Sequence, residues 1–469
     1  MADSIEKQLE RALEIIAMQT AIIEHLTAEN ELMKARITEL ERQLGQNSNN
    51  SSKPPSSDGF KKKPKSLRPT GGKTGGQPGH KGHKLKMTDT PDEIIVHEVC
   101  QCGNCHASLA LEPVLDYESR QVFDLPRIRL WATEHQAQIK ECPLCLKQTR
   151  AAFPENVTVQ AQYGLGVKGL LAYWNVEQFI SFARYAEMFY DLTGHTISEG
   201  TVASALELTA NRVAPYELKA REELLSSPVN HADETGIRVG NKLHWLHVVS
   251  NGTFTYYHPH PKRGCEAIEA AGLLPQYKGV LMTDFWKSYL KLDAQHAFCC
   301  AHLLRECQSI IDNHGGAWAA DMQKLLREAW HLVKQRREKD EGLSPEELSS
   351  INERYKTIVT VGFEQLNAVL KPSVKTVAKN LLLRFDKYSH EILRFITDPL
   401  VPFDNNQAER DVRMVKTKAK VSGAFRTDAG AKQFASIRGF ISSARKQGCR
   451  ILEAISRALS GEFQFPCAE

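Results

Sequence analysis

The stretch from residue 229 to residue 302 most constrains the fold, because its hydrophobic period changes between strand and helix in a fixed order. Val229, His231 and Asp233 alternate along a predicted strand. Apolar and aromatic runs at 242 to 249 and 253 to 257 follow, with Asn251 and Gly252 between them as a hairpin signal. After a short helical stretch at 264 to 272, Gly279-Val280-Leu281-Met282-Thr283 reads as a buried strand that delivers Asp284 at its carboxyl end. Residues 297 to 300 read as a further strand.

Three antiparallel strands, helix, strand, helix, strand is the order of a ribonuclease-H-like domain, an α/β fold. In it an acid on the first strand and another just past the fourth sit side by side. Two carboxylates at that distance repel unless divalent cations neutralise them, so Asp233 and Asp284 are expected to form a metal pair. A third acid comes from a later helix. Asp404-Asn405-Asn406-Gln407-Ala408-Glu409-Arg410 has a helix-start composition and makes Glu409 the candidate. Asp404 and Glu234 compete for that role, and an ion pair with Arg413 is the plainer use of Glu409.

His231-Ala232-Asp233-Glu234-Thr235, Thr283-Asp284, Cys300-Ala301-His302 and Asn405-Asn406-Gln407-Ala408-Glu409-Arg410 together resemble the transposases of the insertion sequence 66 family. Gly75-Gly76-Gln77-Pro78-Gly79-His80 and the cysteine pairs upstream extend the resemblance over nearly the whole chain. It implies a DDE-type transposase with Asp233, Asp284 and Glu409 as catalytic triad and as ligands of two Mg(II) or Mn(II) ions. Cys299 and His302 match a Cys-x-x-His signature found after the second Asp in several DDE families. The resemblance also implies that DNA, both element ends and target, is the partner, together with accessory proteins of the same element.

With 469 residues, 42% hydrophobic and 25% charged, the chain is long enough for two or three domains plus a tail. No apolar run approaches a membrane span and the N-terminus lacks the order of a secretory signal, so the expectation is a cytoplasmic bacterial protein, nucleoid-associated when on DNA, with no membrane partner. Eleven cysteines, an odd number, with two Cys-x-x-Cys pairs, favour reduced thiols and a metal site over disulfides. A net charge of +4 is too small to argue nucleic-acid binding; its distribution says more.

Residues 1–45 carry a heptad seam (Ile5, Leu9, Ala12, Ile16, Gln19, Ile23, Leu26, Asn30, Met33, Ile37, Leu40, Leu44), which predicts a coiled-coil dimerisation helix. Asn30 falls at an a position, where pairing with itself fixes register and a two-stranded state; packing on the protein's own core is the alternative. Residues 46–92 are a basic linker whose composition predicts disorder. Lys61, Lys62 and Lys63 contribute to ten Lys and Arg against two acids between 45 and 90, suited to tracking phosphates. Gly71 to Thr74 lacks the spacing and preceding strand of a nucleotide-binding P-loop.

In a zinc-ribbon-like domain at 93–155, Cys102, Cys105, Cys142 and Cys145 form two knuckles around a strand-like segment (114 to 139), and four thiolates predict a structural Zn(II) site. Residues 156–228 read as helices. The order around Ser198 resembles a helix-turn-helix, open equally to DNA contact and to plain packing. The core is expected at 229–302 and 400–447, split by a helical insertion at 303–399 with helices at 318–337, 345–370 and 374–397. Beside Glu409, Arg410, Arg413, Lys416 and Lys420 are the candidate DNA-binding residues, and Lys418, Arg426, Arg438, Arg445 and Lys446 extend the expected cationic strip. Residues 448–469 form a C-terminal helix and tail.

The predicted chemistry is two-metal phosphodiester transfer, Asp233 bridging both ions while Asp284 and Glu409 each hold one. The alternatives are a zinc-containing dimeric DNA-binding regulator with an inactive fold, and a resolvase-like nuclease that cleaves without joining.

Overall fold

A computed structural model describes residues 2–46, 85–126, 128–314, 316–369 and 376–466. The chain divides into a smaller unit, Lys63–Phe153 with Met188–Thr196, and a larger one, Met1–Lys62, Pro154–Glu187 and Ile197–Glu469. Helix α1 (Ala2–Gly45) is continuous over 44 residues. Of its seam, Ile16, Ile23, Leu26, Asn30, Ile37 and Leu40 are exposed in the single chain.

In the smaller unit, β1 (Ile139–Glu141) and β2 (Gln148–Arg150) form an antiparallel hairpin. No described residue between 85 and 153 is buried. The strand-like segment expected over 114 to 139 is extended chain rather than a sheet: only its last residue enters β1. β-branched and aromatic composition favours strands only where side chains find a face to pack on, and Leu115, Val122 and Trp131 are exposed.

In the larger unit, α2 (Leu165–Ala172) runs into a π-helical turn at Tyr173–Glu177. Phe179 then adopts a left-handed φ of 58°. The next helix, α3 (Phe182–Thr193), therefore begins only past this break. Ser198 caps α4 (Glu199–Ser226), accepting the amide of Thr201 at 3.1 Å. The sheet follows: β3 (Val229–Val239), β4 (Lys242–Ser250), β5 (Thr255–His260), α5 (Cys265–Ala271), β6 (Val280–Thr283) and β7 (Gln295–Phe298). Its order is β5-β4-β3-β6-β7. β3, β4 and β5 pair antiparallel, while β6 lies parallel to β3 and to β7. All four residues of β6 are buried, as an uninterrupted apolar strand covered on both faces requires. The fifth strand ends at Phe298, earlier than expected, and Cys300 already begins the next helix.

Two groups of helices cover the sheet. α6 (Cys300–His314), α7 (Ala317–Arg337), α8 (Pro345–Val369), α9 (Val377–Lys387), α10 (Ser389–Ile392) and α11 (Arg394–Thr397) share one apolar core with β6 and β7. That core runs from Met282 and Phe298 through Trp318, Leu325 and Tyr355 to Phe385 and Phe403. The helix expected over 374–397 is instead three helices, broken at Tyr388 and Leu393. The break lets the Tyr388 ring pack on Phe285 and Phe298, and lets Arg394 donate to the carbonyl of His296 at 2.9 Å.

The second group is α12 (Asn406–Ser422), α13 (Asp428–Lys446) and α14 (Ile451–Ser460). α12 packs on β3 and β4, and α13 on β5 and α4. Gly439 permits the close approach of α13, since a Cβ there would meet the Thr255 carbonyl at 3.1 Å. Ser443 seals the contact by accepting the Thr255 amide at 3.0 Å.

Candidate active site

Strand alternation puts Asn230, Ala232 and Glu234 on the buried face of β3 and leaves Val229, His231 and Asp233 on the half-buried one. The parallel register ends with His231 opposite Met282. Asp233 and Asp284 each lie two residues beyond that pair, at neighbouring positions where the two strands diverge. Asp284 Oδ1 accepts the Trp286 amide at 3.0 Å, and Asp233 Oδ1 accepts the Glu234 amide at 2.8 Å. Burial pushes the Asp233 carboxyl up to about 8, reinforced by the charges of Glu234, Asp284 and Glu409. The three expected acids are thus within electrostatic reach of one another.

Glu409 arrives from far along the chain, and Asn405 brings it. This residue is buried at the N-cap of α12. Its Nδ2 donates to the Ala232 carbonyl at 2.9 Å, which leaves its Oδ1 to accept from His231 Nδ1 at 2.8 Å. Its backbone amide points at Cys299 Sγ at 3.2 Å. One residue, through its side chain and its backbone amide, therefore ties β3 and the turn before α6 to the helix that carries Glu409.

The competing acids are already engaged. Asp404 accepts the backbone and side-chain amides of Asn406 at 3.1 and 2.6 Å. Glu234 Oε1 accepts two bonds from Arg263 at 2.9 and 2.6 Å, and its Oε2 accepts the Tyr289 hydroxyl at 2.6 Å. Glu409 Oε1, in contrast, is buried without a hydrogen bond. Its neighbours are His302 Nδ1 at 3.8 Å and Arg305 Nη2 at 3.7 Å, not Arg413. Three carboxylates, one of them pushed up by burial and by the charges of the others, are a donor set that suits a hard, oxygen-loving divalent cation.

A model of the Transposase IS66 family matches residues 160–433, more than half of the chain. The chain belongs to that family. Residues 5–86 match a second model, a family of unknown function, and no curated protein matches. Among solved structures, a chain of a simian T-cell lymphotropic virus intasome in complex with PP2A regulatory subunit B56 gamma is 13% identical, with a TM-score of 0.14; the match covers 35% of this chain and 50% of that one. A TM-score of that size carries no argument. The acids at 233, 284 and 409 all lie inside the span matched by the IS66 family.

The cationic strip is shorter than expected. Arg410, Arg413, Lys416 and Lys420 are exposed on α12. Lys418 is buried, its ammonium bonded to the Gly423 carbonyl at 2.8 Å and set over the Phe425 ring. Arg438 and Arg445 both pair with the buried Glu177, and Lys446 pairs with Asp411 at 3.0 Å. Lys418, Arg438 and Lys446 fasten α12 and α13 to the fold instead of facing a ligand, while Arg445 keeps a half-exposed side chain; a helix face reads the same from sequence whether it packs or is solvated. Lys61, Lys62 and Lys63 lie outside the described residues.

In the smaller unit, Cys102-Cys105 and Cys142-Cys145 form turns of one design. His106 and Leu146 take left-handed φ values of 61° and 54°, and the amides of these residues bond back to the carbonyls of Cys102 and Cys142 at 3.0 and 2.8 Å. Local backbone amides, first those of Cys105 and Cys145, lower the Cys102 and Cys142 thiols below their ordinary range. Among the described residues the four thiols do not gather as tightly as Cys299, His302 and Glu409 do.

Several residues beside the acids carry no signal in the sequence. Arg263, which holds Glu234, has its guanidinium 4.8 Å from the Trp245 ring centre and 4.6 Å from that of Trp286. Only the adjacency of Trp286 to Asp284 hints at this cluster, since Arg263 lies on the far side of a hairpin and a helix.

Proposed function

We propose that this IS66 family member is a DNA transposase of DDE type with a ribonuclease-H-like core, in which Asp233, Asp284 and Glu409 hold the divalent cations of phosphodiester transfer. The observation that carries the reading is the convergence of these three acids, from β3, β6 and α12, with Glu409 Oε1 buried and lacking a partner. The strand order β5-β4-β3-β6-β7, with one antiparallel and one parallel half, supports it.

Two Mg(II) or Mn(II) ions supply activation of the attacking oxygen and stabilisation of the leaving oxygen. The chain's own residues hold and orient. Asn405 and His231 keep the N-terminus of α12 against β3, so that Glu409 faces the Asp pair. Glu234, Arg263 and Tyr289 keep the neighbouring carboxylate out of competition. Arg410, Arg413, Lys416 and Lys420 take the phosphates of element end or target. Water first releases the 3′ ends of the element, and those 3′ hydroxyls then attack target DNA.

In the same reading, α1 pairs with a second copy through its exposed seam, Asn30 against Asn30, and accessory proteins of the element assist. The two knuckles hold a structural zinc, which suits a unit that buries no described side chain of its own between 85 and 153. The chain acts in the cytoplasm, and no helix among the described residues is long and apolar enough to cross a membrane.

The test is cleavage and joining of labelled DNA carrying the element's ends, with Mg(II) or Mn(II), beside Asp233→Asn, Asp284→Asn and Glu409→Gln. Each variant is expected to lose roughly a thousandfold or more, the scale of several kcal/mol of lost charge stabilisation, while still shifting the DNA. Full joining by Asp284→Asn contradicts the assignment. Cleavage without joined products, with accessory proteins present, favours a nuclease; DNA shifting with neither favours a regulator.

A further inference from the structure

Cys299 and His302 flank the turn between β7 and α6, closed by the His302 amide on the Cys299 carbonyl at 3.2 Å. Cys299 is fully buried. One ligand atom each from Cys299, His302 and Glu409 lie within 4.8 Å of one another. His302 Nδ1 and Glu409 Oε1 are both buried with no hydrogen-bond partner, yet they face each other at 3.8 Å, too far to share a proton. Buried polar atoms without partners are rare, and a pair aimed at one point beside a thiol calls for a bound group.

We propose that Cys299, His302 and Glu409 bind a borderline-soft divalent cation of the zinc class, at a site separate from the Asp233 and Asp284 pair. Zinc sits about 2.3 Å from sulfur and about 2.0–2.2 Å from nitrogen or oxygen. Tetrahedral ligand atoms are then about 3.3–3.6 Å apart, so the existing cluster needs to close by only about 1 Å. A thiolate with an imidazole suits zinc and disfavours magnesium. The Asn405 amide already points at Cys299 Sγ, a hydrogen bond that would orient the thiolate and stabilise its charge once a metal is bound. Binding displaces the thiol proton, and Arg305, whose side chain is part-exposed, swings away from Glu409. Three protein ligands leave the fourth position open.

The site stands on this geometry alone; its consequence rests on the proposed function. Glu409 belongs to both sites, so a zinc-class ion on Cys299 and His302 draws its carboxylate away from the Asp pair. Metal-dependent cleavage is therefore inhibited by zinc added beyond the knuckles' share.

The experiment is titration of the full-length protein with Co(II), reading the thiolate-to-cobalt charge-transfer band and the number of cobalt equivalents that produce it. In a Cys102→Ser, Cys142→Ser variant, which disables both knuckles, one equivalent is expected to remain and to vanish when Cys299→Ser is added. His302→Ala should change its spectrum. If the knuckle variant does not fold, Cys299→Ser in the otherwise native chain should remove one thiolate-bound equivalent. A band unaffected by Cys299→Ser overturns the proposal, as does loss of the band in Asp233→Asn, which would make it part of the carboxylate site. Unimpaired cleavage by Asp233→Asn with the band intact would instead overturn the proposed function and leave this site standing.

Discussion

The cysteine knuckles and the carboxylate cluster are both prospective metal sites, and they are built in opposite ways. Each knuckle is closed by its own backbone: Cys102 and Cys142 exchange main-chain bonds with residues no farther than Ala107 and Lys147. The carboxylate cluster draws on β3, the end of β6, the turn before α6 and the start of α12. The bonds that tie it together bridge residues 174 and 106 positions apart. A local turn can form before its unit folds. An assembled site exists only while the whole sheet is packed, so its acids register pH, and its supports register mutation, as stability.

The two kinds of site should differ most in their response to pH. Asp233 ionises near its ordinary value when unfolded but only around 8 when folded. Between those values the folded state binds more protons than the unfolded one, so stability falls as pH rises from about 4 to 8. Thermal unfolding in chelator should show this decline in the sheet's transition, with Mg(II) or Asp233→Asn removing most of it. An unchanged slope in Asp233→Asn contradicts the assignment.

Next comes Asn405→Ala, which strands the Ala232 carbonyl and His231 in the interior and should cost about 2–4 kcal/mol. Denaturant unfolding measures it, and cleavage should fall with it as Glu409 loses its anchor. Arg263→Ala leaves Glu234 buried without its ion pair. Because the Arg263 side chain is partly wet, roughly 2 kcal/mol is expected, below the range for fully buried pairs. Arg263→Lys should recover only part of it, since lysine cannot make two parallel bonds or stack between indoles. The smallest effect sharpens the local end: Ser198→Ala removes one helix cap and should cost about 1 kcal/mol with cleavage chemistry intact.

What the sequence disclosed follows the same division. The alternation of Val229, His231 and Asp233, the apolar run before Asp284 and the cap-like start at Asn405 are local patterns, and the structure has strands and a helix at each. The Cys-x-x-Cys spacing likewise names two turns. The roles of Asn405, Arg263 and Tyr289 were illegible because each depends on a partner brought close by tertiary packing. The same blindness misassigned Lys418, Arg438 and Lys446: charge on a helix does not reveal that the Gly423 carbonyl, Glu177 or Asp411 lies opposite. Extended composition over 114 to 139 also misled, since propensity cannot supply a partner strand.

Whether acids from β3, β6 and α12 hold divalent cations together is answered most directly by metal-directed backbone scission. Fe(II) substituted for Mg(II), with ascorbate and peroxide, generates hydroxyl radicals where the ion binds. In a Cys299→Ser background, which removes the thiolate site, cuts are expected near residues 233, 284 and 409 in one protein, suppressed together by excess Mg(II) and lost when Asp233→Asn is added. Cuts confined to the knuckles, or a pattern at 409 that persists in that background when Asp233 and Asp284 are both neutralised, would contradict a shared carboxylate site.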